Sequence, residues 1–409
     1  MARLTPNLVH GKAATFVQLT AIAIAALLYG CEGEQESTQT AAHGVGPSAV
    51  LVQLSEAQKQ KLSENTRAAW QLAEPAISHT TDNARQLQSA VDKLLSEPSA
   101  ASLTQAQEQW RKTALAYQPL RLYMTLAELT PEHLGGLRRL GFSIAAQPIQ
   151  PGYLDSVGPY AWSGLVHDIG LPLTPEILRE QHGMTSPEDA SLGLFAMEFL
   201  LFGIIGEQPR QATDYEARQQ LSAEDREQGF TKPDELPENR RRRLLLLQSR
   251  VLVEDLQRLH SLWQPDTENS FYPIYMSYSG LQRRALLLQS LRLELTELLV
   301  QLTPPAEVGG VATGEEVEEA AEDPANMLFA DTAPTDFLVA RLQSMNELLR
   351  TLEASEALQQ SLEQALSQMQ QQEADATTTA AEAISKSLEL LAAEQHAYRG
   401  SSPKQPAIP

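Results

Sequence analysis

One acidic side chain, Glu198, lies alone in an apolar stretch that runs from residue 191 to residue 205. A helix that is apolar on every side is buried, so we expect the fold to enclose this carboxyl group. Enclosing an unpaired carboxylate costs several kcal/mol. Glu198 must therefore meet a basic partner, keep its proton, or bind a cation.

Other groups that could do chemistry are scattered along the chain. The eight His include no pair with the helical spacing of a zinc site, and the sequence has no Gly-x-Ser-x-Gly elbow and no phosphate-binding loop. His167 and Asp168, and then His182, lie shortly before the apolar stretch. They are candidates to fold over Glu198 as metal ligands, and the alternative is that they are exposed loop residues.

The apolar stretch also carries a motif. Residues 193–203, with Gly193, Phe195 and Glu198 at the motif positions, resemble the signature of the imelysin family, which is Gly-x-His-x-x-Glu followed by an apolar run and Gly. Flanking segments extend the resemblance over about residues 55–350, at 110–117, 150–155, 173–178, 240–263 and, more faintly, 329–332. The resemblance implies an exported helical protein, often lipid-anchored, with a role in iron acquisition or a metallopeptidase activity.

Two departures from the family pattern change the site that the resemblance implies. The family His and Glu lie one helical turn apart on one face, a spacing found in metal sites, but Phe195 can neither bind a metal nor transfer a proton. The acid that the family places about eleven residues after its early Trp corresponds here to Arg121. We therefore assign no catalytic residue and consider Arg121 as the ion-pair partner of Glu198. The alternative is that Glu198 binds iron or another divalent metal as a cofactor.

The N-terminus predicts export and lipidation. Arg3 and Lys12 precede an apolar run at residues 21–29, which is too short for a membrane-spanning helix and is typical of a signal peptide. Leu28-Tyr29-Gly30-Cys31 resembles a bacterial lipobox, whose cysteine is acylated, and Cys31 is the single Cys in the sequence. We expect Cys31 to anchor the chain on the periplasmic side of the outer membrane in preference to the inner membrane.

The rest of the sequence predicts an all-α fold. Apolar residues recur at helical intervals, as in Leu338, Leu342, Met345 and Leu349, and no period-two alternation persists. We expect two antiparallel helical bundles of the imelysin-like type, with a loop-rich insert before the signature helix. The predicted segments are a signal peptide at 1–30, a flexible tether at 31–53, an N-terminal bundle at 54–208 that contains the signature helix, a linker at 209–237, a C-terminal bundle at 238–399 with an acidic loop at 304–324, and a disordered tail at 400–409.

Charge excludes one class of partner. The chain has 31 Lys and Arg against 52 Asp and Glu, a net charge of −21, which disfavours nucleic acid as a binding partner. We expect a non-catalytic, lipid-anchored binding or accessory component in iron or metal acquisition, with a periplasmic or iron-uptake protein as its partner. One alternative is an active metallopeptidase that recruits ligands such as Asp331 to Glu198. The other is a structural or partner-docking helical lipoprotein in which side chains of the hydrophobic core fill the former ligand site of the family.

Overall fold

The computed structural model describes residues 54–158, 162–204, 208–303, 334–371 and 376–399. The predictions for Cys31, the signal peptide and tether, the acidic loop 304–324, Asp331 and the tail lie outside these residues. The prediction of an all-α fold is confirmed, because the described residues form helices and no β-strand. None of the helices described is long and apolar enough to cross a membrane.

The helices before the linker are of unequal length and come in two groups. The first group is α1 (Glu56–Gln71), α2 (Ala73–Ser96), α3 (Ala100–Tyr117), α4 (Arg121–Leu129) and α5 (Pro131–Ala145). The loop-rich insert then contributes the short α6 (Pro151–Leu154) and α7 (Pro175–Gln181), and the signature segment forms α8 (Leu194–Phe202). Local sequence sets these boundaries. Ser55 caps α1 through a capping box with Gln58, and Pro75 lies in the first turn of α2, where a missing N–H is tolerated.

The helices after the signature segment include the longest in the chain. They are α9 (Ala223–Glu227), α10 (Pro237–Trp263), α11 (Phe271–Ser277), α12 (Gly280–Leu302), α13 (Pro334–Thr351), α14 (Glu356–Gln371) and α15 (Ala376–Arg399). Helix α10 packs along α2, while α12 packs against α1, α4 and α15. All described residues belong to one compact unit, and its buried apolar residues form one cluster that spans the linker.

A stack of aromatic rings joins the two sides of the linker. The rings of Trp70 on α1 and Trp263 on α10 lie 3.7 Å apart and nearly parallel. Each indole N–H donates to the backbone carbonyl of the other residue, at 3.3 and 3.1 Å. Tyr275 stacks on Trp70 and donates its hydroxyl to the carbonyl of Thr66. Because each buried polar atom of the stack has a partner, the stack fixes α1, α10 and α11 without an unsatisfied donor.

Candidate functional site

The signature helix α8 is held in place by side chains that bind its carbonyl groups. Trp110 on α3 donates its indole N–H to the carbonyl of Leu194 at 2.7 Å, and Gln107 donates to the carbonyl of Leu201 at 2.8 Å. Tyr215 donates its hydroxyl to the carbonyl of Leu200. A nine-residue apolar helix is thereby fixed at both ends, which sets the direction of Glu198 and the residue one turn before it.

Gly193, the first residue of the motif, allows α8 to begin close to another helix. Its φ is +97°, in the region that favours glycine. A Cβ atom at this position would lie 2.9 Å from the carbonyl oxygen of Ile144 on α5. The motif glycine therefore serves the close approach of α8 to α5, which brings the α8 side chains toward the helices that line the cavity described next.

Phe195 and Glu198 line a cavity of about 860 Å³. Both side chains are almost fully covered, with Phe195 5% and Glu198 1% exposed, so the predicted enclosure of Glu198 is confirmed. Arg121 lines the same cavity. The structure thus brings together the motif residue Glu198 and the two residues, Phe195 and Arg121, at which the sequence departs from the family pattern. The other charged residues of the lining come from α4, α5, α12 and α13, and they are Glu128, Arg138, Glu294, Glu297 and Arg341.

Four of these charged side chains form an ion-pair network across the cavity. Glu294 lies between Arg341, whose Nη2 is 2.8 Å from Oε2, and Arg121, whose Nε is 3.5 Å from Oε2. Glu297 likewise contacts both guanidinium groups, at 2.5 Å from Arg121 and 3.5 Å from Arg341. The hydroxyl of Thr125 donates to Glu294 Oε1 at 2.8 Å. Two acidic and two basic side chains therefore neutralise one another inside the lining.

Burial and the network act in opposite directions on Glu294. Burial raises the pKa of its carboxyl group, but the neighbouring Arg121 and Arg341 and the Thr125 hydrogen bond outweigh burial and hold the pKa below its usual range. Burial lowers the pKa of Arg341, and the adjacent Arg121 lowers it further. The like charges of the two arginines are tolerated because both glutamates bridge them. Glu294 is therefore ionised at neutral pH.

The described ion pairs of Arg121 are with acids on another helix. Its ion pairs are with Glu294 and Glu297 on α12, and it also donates to the side chain of Gln147 at 3.2 Å. Both acids lie more than 170 residues away in the sequence, and the pairing of Arg121 with Glu198 stays a prediction.

His167 and Asp168 do not line the cavity with Glu198. The Nε2 atom of His167 lies 3.2 Å from Oδ1 of Asp155, a fully buried acid in the loop-rich insert. The side chain of Asp168 instead accepts from the backbone N–H of Gly170 at 3.0 Å. The predicted metal-ligand role of these two residues gains no support from their positions, because the hydrogen bonds of their side chains are made within the insert.

His182 supports the start of the signature helix. Its Nδ1 accepts from the backbone N–H of Leu192 at 3.3 Å, and its Nε2, which then carries the proton, donates to the carbonyl of Phe142 at 3.1 Å. Burial lowers the pKa of this imidazole, which favours the neutral form that these two bonds require. Since Phe142 lines the cavity, His182 links the insert to the cavity wall without reaching into it.

Two arginines at the start of α10 hold the insert. Arg240 donates to four backbone carbonyls of the insert, those of Leu165, Val166, Asp168 and Leu171, at 2.6 to 3.0 Å. Arg241 and Arg210 bind both carboxylate oxygens of Asp155. Burial raises the pKa of Asp155, but its bonds to His167 and Arg241 and the charges of both arginines hold the pKa well below its usual range.

The cavity does not fit the metal site that the family motif implies. Phe195 supplies no ligand atom at the histidine position, and Glu294 and Glu297 are bound by two cationic side chains that would repel a metal ion. Among the described residues, no group of three or more His, Cys, Asp or Glu side chains could hold a metal ion. Glu198 as a metal ligand thus stays a prediction without a described set of companion ligands.

Comparison with known proteins identifies a similar fold and a family. No curated protein matches the chain. A crystal structure of an iron-regulated protein A precursor from Parabacteroides distasonis is similar in fold, with a TM-score of 0.53, 14% sequence identity, and coverage of 83% of this chain and 95% of that chain. The family model described as Imelysin matches residues 73–278, which contain the signature helix α8 and the loop-rich insert before it. The chain therefore belongs to the imelysin family.

Proposed function

We propose that this chain is a non-catalytic imelysin-like protein, anchored by acylated Cys31 on the periplasmic side of the outer membrane. In this role it is a binding or accessory component of iron or other metal acquisition. The observation that carries the proposal is the cavity at α8, in which Phe195 occupies the histidine position and an arginine-glutamate network forms part of the lining.

A peptidase of the metal-dependent type needs a cation that activates a water molecule. Phe195 offers neither a ligand nor a base, and each acid of the network is bound by arginine rather than open to a metal ion. The geometry therefore supports binding of a molecule or partner at this cavity and gives no support to hydrolysis. The iron connection draws on the name of the Parabacteroides distasonis neighbour, whose likeness to this chain concerns the fold alone.

The decisive experiment combines metal analysis with a proteolysis assay on the purified chain. We expect no stoichiometric iron or zinc and no cleavage of an unfolded protein substrate, with or without a chelator. Glu198→Gln is the matched variant, since it changes the charge at α8 while it keeps the shape of the side chain. Cleavage that is lost with chelator and in Glu198→Gln would establish the metallopeptidase alternative and refute the non-catalytic role.

Two further measurements test the link to iron and the lipid anchor separately. Transcript and protein levels should rise when cells are starved of iron, whereas constitutive levels would count against a role in iron acquisition. Cys31→Ser should move the protein from the membrane fraction to the soluble periplasmic fraction, because the acyl chains supply the membrane affinity. Retention of the Cys31→Ser variant in the membrane fraction would refute lipid anchoring.

A further inference from the structure

A second concave surface is basic, although the chain as a whole is acidic. It is a groove of about 610 Å³ formed by the first turns of α10, the C-terminal end of α2 and the loops around Arg218 and Lys232. The basic side chains that line it are Arg218, Lys232, Arg242, Arg243 and Arg250. With a net charge of −21 for the whole chain, such a concentration of positive charge on one surface needs an explanation.

Some of these charges already have partners. Arg218 pairs with Asp225 and lies 3.6 Å from Glu238, and Lys232 lies near Glu235. Two acids, Asp92 and Asp234, also line the groove and reduce its positive potential. The lining nevertheless keeps an excess of basic side chains, which come chiefly from α10.

Three arginines of α10 supply that excess. Among the residues that the structure describes, none of Arg242, Arg243 and Arg250 has a carboxylate at ion-pair distance. Arg242 donates to the carbonyl of Tyr215, and Arg243 donates through Nε to the carbonyl of Leu173 at 3.2 Å. These bonds orient both guanidinium groups and leave further donors on each of them.

The arrangement of these residues on α10 is regular. Asn239, Arg243, Leu246 and Arg250 follow one another at intervals of four, three and four residues and all line the groove, so they form one face of the helix. Arg242 stands beside this face, and burial lowers the pKa of its guanidinium group. An anion in the groove would offset that desolvation and bridge charges that otherwise repel one another.

We propose that this groove binds a small oxyanion of the phosphate or carboxylate type. Guanidinium groups recognise such ligands through paired N–H donors, and the groove offers three arginines of α10 that no described carboxylate pairs. The ligand is either a free small molecule or the phosphate of a lipid headgroup, two sources of one chemistry. The site is separate from the cavity at α8 and does not depend on the function proposed for that cavity.

Isothermal titration calorimetry of the purified chain at low ionic strength tests the proposal, with inorganic pyrophosphate and citrate as separate probes. Sedimentation with phosphatidylglycerol vesicles, compared with phosphatidylcholine vesicles, tests the headgroup source. The test variant is Arg243→Gln with Arg250→Gln, whose side chains are exposed. We expect at least about tenfold weaker binding of the probe that the wild type binds, because two charge-assisted contacts are lost.

The matched control is Arg139→Gln with Arg258→Gln, which removes the same charge from exposed helix positions outside the groove. Binding of pyrophosphate or citrate that is lost only in the groove variant would support a free oxyanion as ligand. Binding of phosphatidylglycerol vesicles alone, again lost only in the groove variant, would support a lipid headgroup. Absence of binding to every probe, or equal losses in the groove and control variants, would overturn the proposal.

Discussion

Replacing Glu294 by glutamine tests whether the cavity at α8 is organised by an ion-pair network. The Glu294 side chain is 5% exposed, and its principal partner Arg341 is 3% exposed. Removing one partner of such a buried pair costs about 3–5 kcal/mol in general, because the other charge is left uncompensated. Glu297 remains near both arginines in the variant, so we expect a loss of about 2–3 kcal/mol in the free energy of unfolding.

Glu297→Gln provides the matched control. This acid contacts the same two arginines, but its side chain is 40% exposed, so solvent screens its interactions. We expect this change to cost about 1 kcal/mol or less. Urea unfolding followed by circular dichroism measures the free energy of unfolding of both variants. An unchanged slope of this free energy against urea concentration would show that the unfolded state is the same. The reasoning fails if Glu294→Gln costs no more than Glu297→Gln.

The pH dependence of the stabilities of the wild type and Glu294→Gln provides a second measurement. Because the network holds the pKa of Glu294 below its usual range, the stability that this acid contributes is complete above the pKa of an unfolded glutamate. It is lost as the pH falls from there toward the lower pKa of the folded state. The stability difference between the wild type and Glu294→Gln should therefore shrink on acidification. A difference that grows toward low pH would contradict the assignment of Glu294 as an ionised partner of Arg341.

Three further changes test the motif and the insert. Phe195→His restores a histidine one turn before Glu198, so calorimetry should detect zinc or ferrous binding that the wild type lacks; no gain would show that the arginine network prevents metal binding. Asp155→Asn leaves Arg241 uncompensated and should lower the free energy of unfolding by about 3 kcal/mol at neutral pH. Because the pKa of Asp155 is lowered in the folded state, this loss should diminish only below the pKa of an unfolded aspartate. Equal losses at neutral and acidic pH would contradict the ion-pair assignment. Gly193→Ala should lower the unfolding midpoint on heating, since its Cβ would meet the carbonyl of Ile144 at 2.9 Å; an unchanged midpoint would show that α8 can shift away from α5.

The enclosure of Glu198 could be predicted from sequence because it depends on local composition. Each residue near it in the sequence is apolar, so burial of the helix implied burial of its carboxyl group. The motif also placed Phe195 on the same surface as Glu198, since residues three apart share a helix face. Helical periodicity sufficed for the fold class for the same reason, because it needs no knowledge of which helices meet.

The network around Glu198 could not be predicted in the same way. Glu294, Glu297 and Arg341 come from helices far along the chain, and their encounter with Arg121 depends on how α12 and α13 pack. The sequence does contain a signal, which is a pair of acids three residues apart within the largely apolar α12. That spacing indicates a shared face, but it does not identify the opposite charges that the face will meet.

The contrast between the two sets of arginines determines what each surface can bind. Arg121 and Arg341 face the cavity with their charges balanced by Glu294 and Glu297, so an ion that binds to any of these four side chains would have to displace an existing partner. The groove arginines, such as Arg243, have no such balance among the described residues. Salt should therefore weaken binding at the groove much more than binding at the cavity, because screening acts on exposed, unpaired charges. A ligand whose affinity is independent of salt would belong to the cavity, where shape and the apolar Phe195 decide recognition.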